Sequence, residues 1–348
     1  MTSIEELKNF YKKKREEVLK SESYVFYFCS YIPPEIIHAS GLIPFRYIPP
    51  PMFPVKTDEI MPKYVCPYLR SITEEKLREN FYMKKVIFTD GCDSSKRIYE
   101  VWKEMKLSDD TYFLEVPFGE EKKDIKFFSD ELKKLFLHLS KNKSSPDRIF
   151  DSIELYNRAR KKIREEERNI NGIGKGTFLF YMHNLFNSME PEEFLKLNFS
   201  FNGKKGKVRL YLFSTMYPYE LVEYLEEIGV EIVYDDSCFG GRLLEDVYLL
   251  SDPFETLSFY LLKREGCVRR REIEDKVSFI ENRVKEMNLD GVIFYSLKYC
   301  DPLLFYIPVL RKRLKEKGIR TLLLEDDFTM GIKGQIRTRV EAFMEMIG

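Results

Sequence analysis

Two stretches of this chain repeat one another, and that repeat constrains the fold more than any other feature. Residues 29–47 read CSYIPPEIIHASGLIPFRY, and residues 214–234 read STMYPYELVEYLEEIGVEIVY. Further on, VIFTDGC at 86–92 is answered by VIFYSLKYC at 292–300. Apolar strands alternate with helical segments around both pairs. The first half predicts strands at Tyr24 to Cys29, Leu42 to Tyr47, Val86 to Thr89 and Tyr112 to Val116. Helices fall at Pro34 to Ser40 and from about Ser94 to Met105. The second half predicts strands at Val208 to Phe213, Val230 to Tyr234, Val292 to Tyr295 and Thr321 to Leu324. An amphipathic helix, Tyr219 to Ile228, lies between the first two, with Leu221, Tyr224, Leu225 and Ile228 on one face. Strands that are apolar throughout and joined by helices belong to parallel sheets covered on both faces. The expected fold is therefore α/β: two Rossmann-like, doubly wound domains, each with a parallel sheet of about four strands.

A length of 348 residues suits two domains of ordinary size. The polar stretch Asn198 to Lys207, with Gly203 and Gly206, marks the boundary. The expected domains are 1–200 and 201–348. The first includes a bridging helix, 145–169, with Ser145 as its cap and Pro146 in its first turn. Ile149, Ile153, Tyr156 and Ile163 give that helix one apolar stripe, suited to bracing the two domains. Pro308 is expected to kink or restart the helical segment after the strand at Val292 to Tyr295.

Charge narrows the function. Lys plus Arg number 57, and so do Asp plus Glu, so no basic field exists to hold a nucleic acid or an anionic membrane. No apolar run approaches the ~20 residues that span a bilayer, and the N-terminus lacks the apolar segment of a secretion signal. A cytoplasmic location, where thiols stay reduced, is expected. The three histidines, His38, His138 and His183, are not spaced as a zinc site.

The chemistry points instead to six cysteines: Cys29, Cys66, Cys92, Cys238, Cys267 and Cys300. None forms a CxxC pair, which argues against a zinc ribbon, a thioredoxin-like motif and a compact ferredoxin. Free cysteine often serves only as a small buried hydrophobe. These positions suggest more. Cys29, Cys92 and Cys300 end or follow predicted strands, Cys238 follows the strand ending near Asp235, and Cys66 precedes Pro67. The carboxyl ends of strands in open α/β sheets form the binding crevice. Cys66 matches Cys238 in the repeat and Cys92 matches Cys300, whereas Cys29 faces Ser214 and Cys267 has no counterpart. Asp93-Ser94-Ser95 and Asp301-Pro302 then start helices, whose free N–H groups stabilise thiolates. Spacing and composition leave a soft-metal site and ordinary buried thiols as even alternatives.

Several blocks in order, covering nearly the whole chain, carry a resemblance. They are the segment Cys29 to Tyr47, DGCDSSKRIYE at Asp90 to Glu100, DDSCFGGR at Asp235 to Arg242, and DGVIFYSLKYCDPLLFYIPVL with the following TLLLEDDFTMGIKGQIRTRVEAFMEM. With them the chain resembles the 2-hydroxyacyl-CoA dehydratase D-component family, which includes benzoyl-CoA reductase subunits and double-cubane cluster proteins. The resemblance implies two Rossmann-like domains with an iron–sulfur cluster in the cleft between them. For dehydratases it implies a [4Fe–4S] cluster on three cysteines, here Cys66, Cys92 and Cys300, with one site open to substrate. An ATP-hydrolysing activator with its own cluster would supply a low-potential electron to a 2-hydroxyacyl-CoA. The resulting ketyl radical would expel the hydroxyl group. For double-cubane proteins it implies six cysteines holding an [8Fe–9S] cluster in a homodimer. All six cysteines here lie in or near the family blocks, so Cys29, Cys238 and Cys267 join the expected ligands. The double-cubane homodimer, reducing a small molecule, is the favoured expectation. A dehydratase subunit acting on an acyl-CoA, or an iron–sulfur carrier without turnover, are the alternatives.

Ser30 and Glu35, beside the expected cluster, are candidate catalytic residues that would donate to or exchange protons with bound substrate. Their simpler reading is a cap and a dipole partner for the helix starting near Pro34. Gly240-Gly241-Arg242 invites a close phosphate approach but more simply forms a turn. Glu325, Asp326 and Asp327 read as a solvated strand end.

Overall fold

The computed structural model describes residues 1–18, 21–78, 83–265, 267–268, 272–329 and 331–347. Eight strands are assigned: β1 (Tyr24–Tyr27), β2 (Ile43–Arg46), β3 (Lys85–Thr89), β4 (Asp110–Leu114), β5 (Val208–Ser214), β6 (Val230–Asp236), β7 (Gly291–Leu297) and β8 (Thr321–Asp326). They form two four-stranded sheets, ordered β2-β1-β3-β4 and β6-β5-β7-β8. Every pairing is parallel. The two halves therefore share one topology, as the internal repeat requires.

Alternation along the strands explains three cores. Phe26 of β1 and Val86 and Phe88 of β3 face a central core that also takes Leu210 and Leu212 of β5 and Ile293 and Tyr295 of β7. Val25, Tyr27 and Ile87 point the other way, into an outer core on the first sheet. Tyr211, Phe213, Val292 and Phe294 do the same on the second. A register slip of one residue would exchange the faces, so burial on both sides fixes the pairing. Phe88 shows what holds the centre: its ring lies 5.1 Å from Phe28 and 5.4 Å from Trp102. Phe88→Ala should cost about 3–5 kcal/mol.

Chain order and packing divide at different places. The polar stretch before β5 separates the sheets in sequence. Yet helix Pro253–Lys263 packs on helix Lys122–Ser140 in the first sheet's outer core, and helix Lys175–Phe186 packs on β6. The bridging helix runs Arg148–Asn169, three residues shorter at its start than expected. Ser145 and Pro146 instead make the preceding turn, where Arg148 N–H donates to the Ser145 carbonyl at 3.2 Å. Its stripe is fully buried: Ile149 and Ile153 enter the outer core, and Tyr156 and Ile163 the central one.

Two local expectations are corrected. Helix Asp301–Glu316 continues through Pro308 without restarting. The proline leaves the Leu304 carbonyl without its helical donor, but Leu304 is partly exposed and water can serve it. Leu303, Tyr306, Ile307, Leu310 and Leu314 bury the opposite stripe and hold the helix to its sheet. The end of β8 is not simply solvated either. Asp326 is buried, accepts from Tyr295 Oη at 2.8 Å and meets Lys333 Nζ at 3.1 Å.

Candidate functional site

The topology makes the site. In each sheet the first strand sits between the second and third, so connections leave to opposite sides at β1/β3 and β5/β7, where such sheets bind ligands. Cys29 lies just past β1, Cys92 past β3, Cys238 past β6 and Cys300 past β7. Cys66 ends the loop after β2, and Cys267 follows helix Pro253–Lys263. Cys66, Cys92 and Cys300 are each the capping residue of a helix: Pro67–Leu77, Asp93–Glu104 and Asp301–Glu316. The sequence encodes those starts with Pro67, Asp93 and Asp301-Pro302.

All six thiols line one cavity of about 110 Å³. None forms a disulfide. Arg46, Ser30, Thr215 and Gly91 are among the other lining residues, and among the described residues no carboxylate or imidazole lines it. Gly91 is needed there: a Cβ on it would come within 3.0 Å of the Cys29 sulfur and 2.9 Å of Thr89 Oγ1. Among the described residues no three His, Cys, Asp or Glu stand close enough to share one metal ion. The thiols ring a space, an arrangement suited to a group several atoms across.

Burial pushes the Cys66 thiol up to about 12, and the neighbouring Cys92 adds to the rise. The N–H groups of Leu69 and Tyr68 oppose it, although no cap hydrogen bond closes fully. Cys92 is also pushed to about 12 by burial, against the Ser95 N–H, with further repulsion from Cys300, Cys29 and Cys267. Cys300 reaches about 12 for the same reason, with Cys66 adding to it and the Leu303 N–H and Thr215 hydroxyl opposing. Thr215 Oγ1 lies 3.8 Å from the Cys300 sulfur. Without a metal these thiols are therefore neutral. A soft metal reverses the balance, because coordination deprotonates a thiol outright. An all-sulfur donor set, helix N-termini and nearby buried guanidinium groups fit an anionic iron–sulfur cluster.

The Asp235–Cys238 loop is braced from behind. Asp236 is buried, ion-paired with Arg242, accepts from Tyr211 Oη at 2.6 Å, and lies 3.6 Å from Lys276 Nζ. Burial alone would raise its carboxyl, but Arg242 and Lys276 hold it below the usual range. Arg242 Nη1 also donates to the Cys238 sulfur at 3.4 Å. Arg242 is thus tied to this loop, and Gly240-Gly241-Arg242 is a turn rather than an open phosphate cradle. Asp235 meets His183 Nδ1 at 3.2 Å, and Glu167 meets its Nε2 at 2.8 Å. Burial would lower the imidazole, but the two carboxylates win and lift it to about 9. A much larger cavity, about 800 Å³, opens beside Arg242 and Tyr234. Among the described residues no cysteine lines it, and it mixes both signs of charge.

The two expected catalytic residues separate. Ser30 lines the thiol cavity, and its carbonyl accepts from Arg264 Nη2 at 2.6 Å. It does not cap the following helix, whose capping position is Pro33. Glu35 does not line that cavity. It is buried in an ion pair with Arg160, whose Nε donates to the Leu243 carbonyl at 3.1 Å. Glu35 reaches Ser30 and Arg46 only through a small space of about 20 Å³. Sequence reasoning missed Arg46, Gly91, Thr215 and His183. The glycine of DGC and the arginine of IPFRY stood inside the family blocks, but nothing in their spacing gave them a role.

Residues 29–347 match the family model described as 2-hydroxyglutaryl-CoA dehydratase, D-component. A benzoyl-CoA reductase subunit of Thauera aromatica is 24% identical, over 95% of this chain and 92% of that protein. The (R)-phenyllactyl-CoA dehydratase beta subunit of Clostridium sporogenes is 24% identical over 91% of this chain and 90% of its own length. The beta subunit of (R)-2-hydroxyglutaryl-CoA dehydratase of Acidaminococcus fermentans is 22% identical over 91% and 90%.

Proposed function

Because this chain belongs to the 2-hydroxyglutaryl-CoA dehydratase D-component family, we propose that it is a cluster-bearing reductase that receives low-potential electrons from an ATP-hydrolysing activator. It is an enzyme of the dehydratase and reductase type, and no helix among the described residues is long and apolar enough to cross a membrane. The proposed cofactor is an [8Fe–9S] double cubane in a homodimer, held by Cys66, Cys92, Cys300, Cys29, Cys238 and Cys267. One observation carries this reading: six cysteines, and among the described residues no carboxylate or imidazole, line a single cavity. The cluster, when bound, would store and pass single electrons at low potential.

The chain's own residues do the rest. The six thiolates would hold the group, and the N–H groups at three helix starts would stabilise their charge. Ser30 would donate a hydrogen bond to a small-molecule or acyl-CoA substrate at the cavity wall. Glu35, tied to Arg160, would act only through the small space behind Ser30. The apolar wall of Phe28, Leu69, Met216 and Leu297 would exclude water from a radical intermediate.

A second reading has its own support. The matched relatives are named as subunits, which favours one half of a 2-hydroxyacyl-CoA dehydratase holding a [4Fe–4S] cluster on Cys66, Cys92 and Cys300. Iron and acid-labile sulfide per chain, measured after anaerobic purification with native mass, decide between them. The larger cluster in a homodimer supports the first reading, and a [4Fe–4S] content supports the second. Turnover with a mild reductant and no ATPase would sink the energised-electron mechanism. A chain that takes up no iron would sink both.

A further inference from the structure

Arg46 is the last residue of β2 and is only 2% exposed. Its Nη1 donates to the Cys238 carbonyl, and its Nε has no hydrogen-bond partner. Among the described residues no carboxylate forms an ion pair with it, although Arg160 has Glu35 and Arg242 has Asp236. A buried, unpaired charge is among the costliest features a protein interior can carry. Lysine could escape by losing its proton, but arginine stays charged at any ordinary pH. Arg46 therefore needs an anion.

Its surroundings say where the anion sits. Arg46 lines two spaces. The smaller is about 20 Å³, hardly more than one water needs, and its carboxylate, Glu35, is already engaged by Arg160. The larger is the thiol cavity. We infer that Arg46 is a built-in counter-charge for an anionic, thiolate-held occupant of that cavity, and that it favours the occupant's reduced state. The inference rests on the cluster reading above and assigns to Arg46 a role that no cysteine count supplies. Arg46 and Arg242 together bracket Cys238, one at its carbonyl and one at its sulfur. Only Arg242 has its charge balanced by the protein.

Removing a nearby positive charge makes adding an electron harder, because the electron enters a low-dielectric site where charge is poorly screened. The test uses the anaerobically purified, cluster-loaded full-length protein and compares wild type, Arg46→Gln and Arg46→Lys. The readouts are the midpoint potential, followed by electron paramagnetic resonance, and the rate of iron release to a chelator. Arg46→Gln should disfavour reduction about tenfold, ~59 mV for a one-electron couple, and should release iron several-fold faster. Arg46→Lys, which keeps the charge, should recover most of both. Equal potentials in wild type and Arg46→Gln, or equal shifts in Gln and Lys, would overturn the assignment. If Arg46→Gln does not fold, Arg46→Met repeats the test with an apolar chain. If neither folds while Arg46→Lys does, the protein itself uses the charge, which also overturns it. Wild type that binds no iron would defeat the cluster reading before any variant is compared. Wild type whose potential ignores Arg46 would defeat this inference alone.

Discussion

The two halves of the chain use one strand order to different chemical ends. Both sheets put a cysteine after the second strand (Cys66, Cys238) and another after the third (Cys92, Cys300). After the first strand they diverge: Cys29 in one half, Ser214 and Thr215 in the other. Their charges diverge further. The second half surrounds its cysteine loop with a closed network, Asp236 with Arg242 and Lys276, and two first-half residues join it, His183 lying between Asp235 and Glu167. The first half brings Arg46 to the same cavity without a carboxylate. A repeated scaffold thus keeps where strand ends point but not how charge is balanced there. One wall is complete by itself, and the other is completed by what the cavity holds.

The largest effect should come from the thiols that the two halves share. Cys92→Ala or Cys300→Ala should abolish retained iron, measured per chain under anaerobic conditions, whereas Cys267→Ala, which has no counterpart in the repeat, should leave a substantial fraction. Equal loss at all three would remove any distinction between repeated and unrepeated ligands.

Charge balance comes next. In metal-free protein, Asp236→Asn leaves the buried Arg242 without its carboxylate, while Lys276 keeps Glu265 at 3.1 Å, and should cost about 3–5 kcal/mol in urea denaturation. Arg46→Met in the same preparation should cost no more than ~1 kcal/mol, or stabilise, because the lost hydrogen bond to the Cys238 carbonyl is offset by removing a buried cation that forms no ion pair among the described residues. Similar large losses in both would break the contrast between a closed wall and an open one.

Two pH windows sharpen the comparison. His183, a first-half residue that braces the second half's cysteine loop, is raised from 6.5 to about 9. A raised folded-state value means its contribution is complete below pH 6.5 and fades as pH climbs through about 9. His183→Gln should therefore flatten a loss of about 3 kcal/mol between those limits. The smallest effect lies in the first half. Burial lifts the Glu75 carboxyl from 4.5 to about 7, more than Arg15 and Arg78 can offset, although Arg15 stands 3.7 Å away. Here too stability is fullest below pH 4.5 and declines through about pH 7. Glu75→Gln should raise stability at pH 8 by ~2 kcal/mol and leave it unchanged near pH 4. Denaturation midpoints across pH 4–10 measure both windows. A loss confined to one window would assign the pH response to one of these two sites.

Much of the fold was legible because it is written in local pattern. Continuous apolar runs such as VIFT and VIFY marked parallel strands, and the repeat predicted that both sheets would share a topology. Strand ends were less legible: β6 runs on to Asp236, because Asp236 is fixed by Tyr211 and Arg242 rather than by periodicity. Pro308 does not restart its helix, because tertiary packing of one stripe outweighs the loss of one helical hydrogen bond.

The sequence by itself determined the alternation of strands and helices, the duplication, and the placing of every cysteine but Cys267 at a strand end or helix start. Those depend on residues near one another in the chain, where side-chain period and capping act directly. Only the tertiary structure decided that Glu35 turns to Arg160, that Gly91 makes room for the Cys29 sulfur, and that Arg46 meets Cys238 while forming no ion pair among the described residues. Arg46 and Cys238 are 192 positions apart. No local pattern encodes whether a charge so placed will find a partner. That is settled by which distant segments the packed cores bring against it, and by the cost of burying it where they do not.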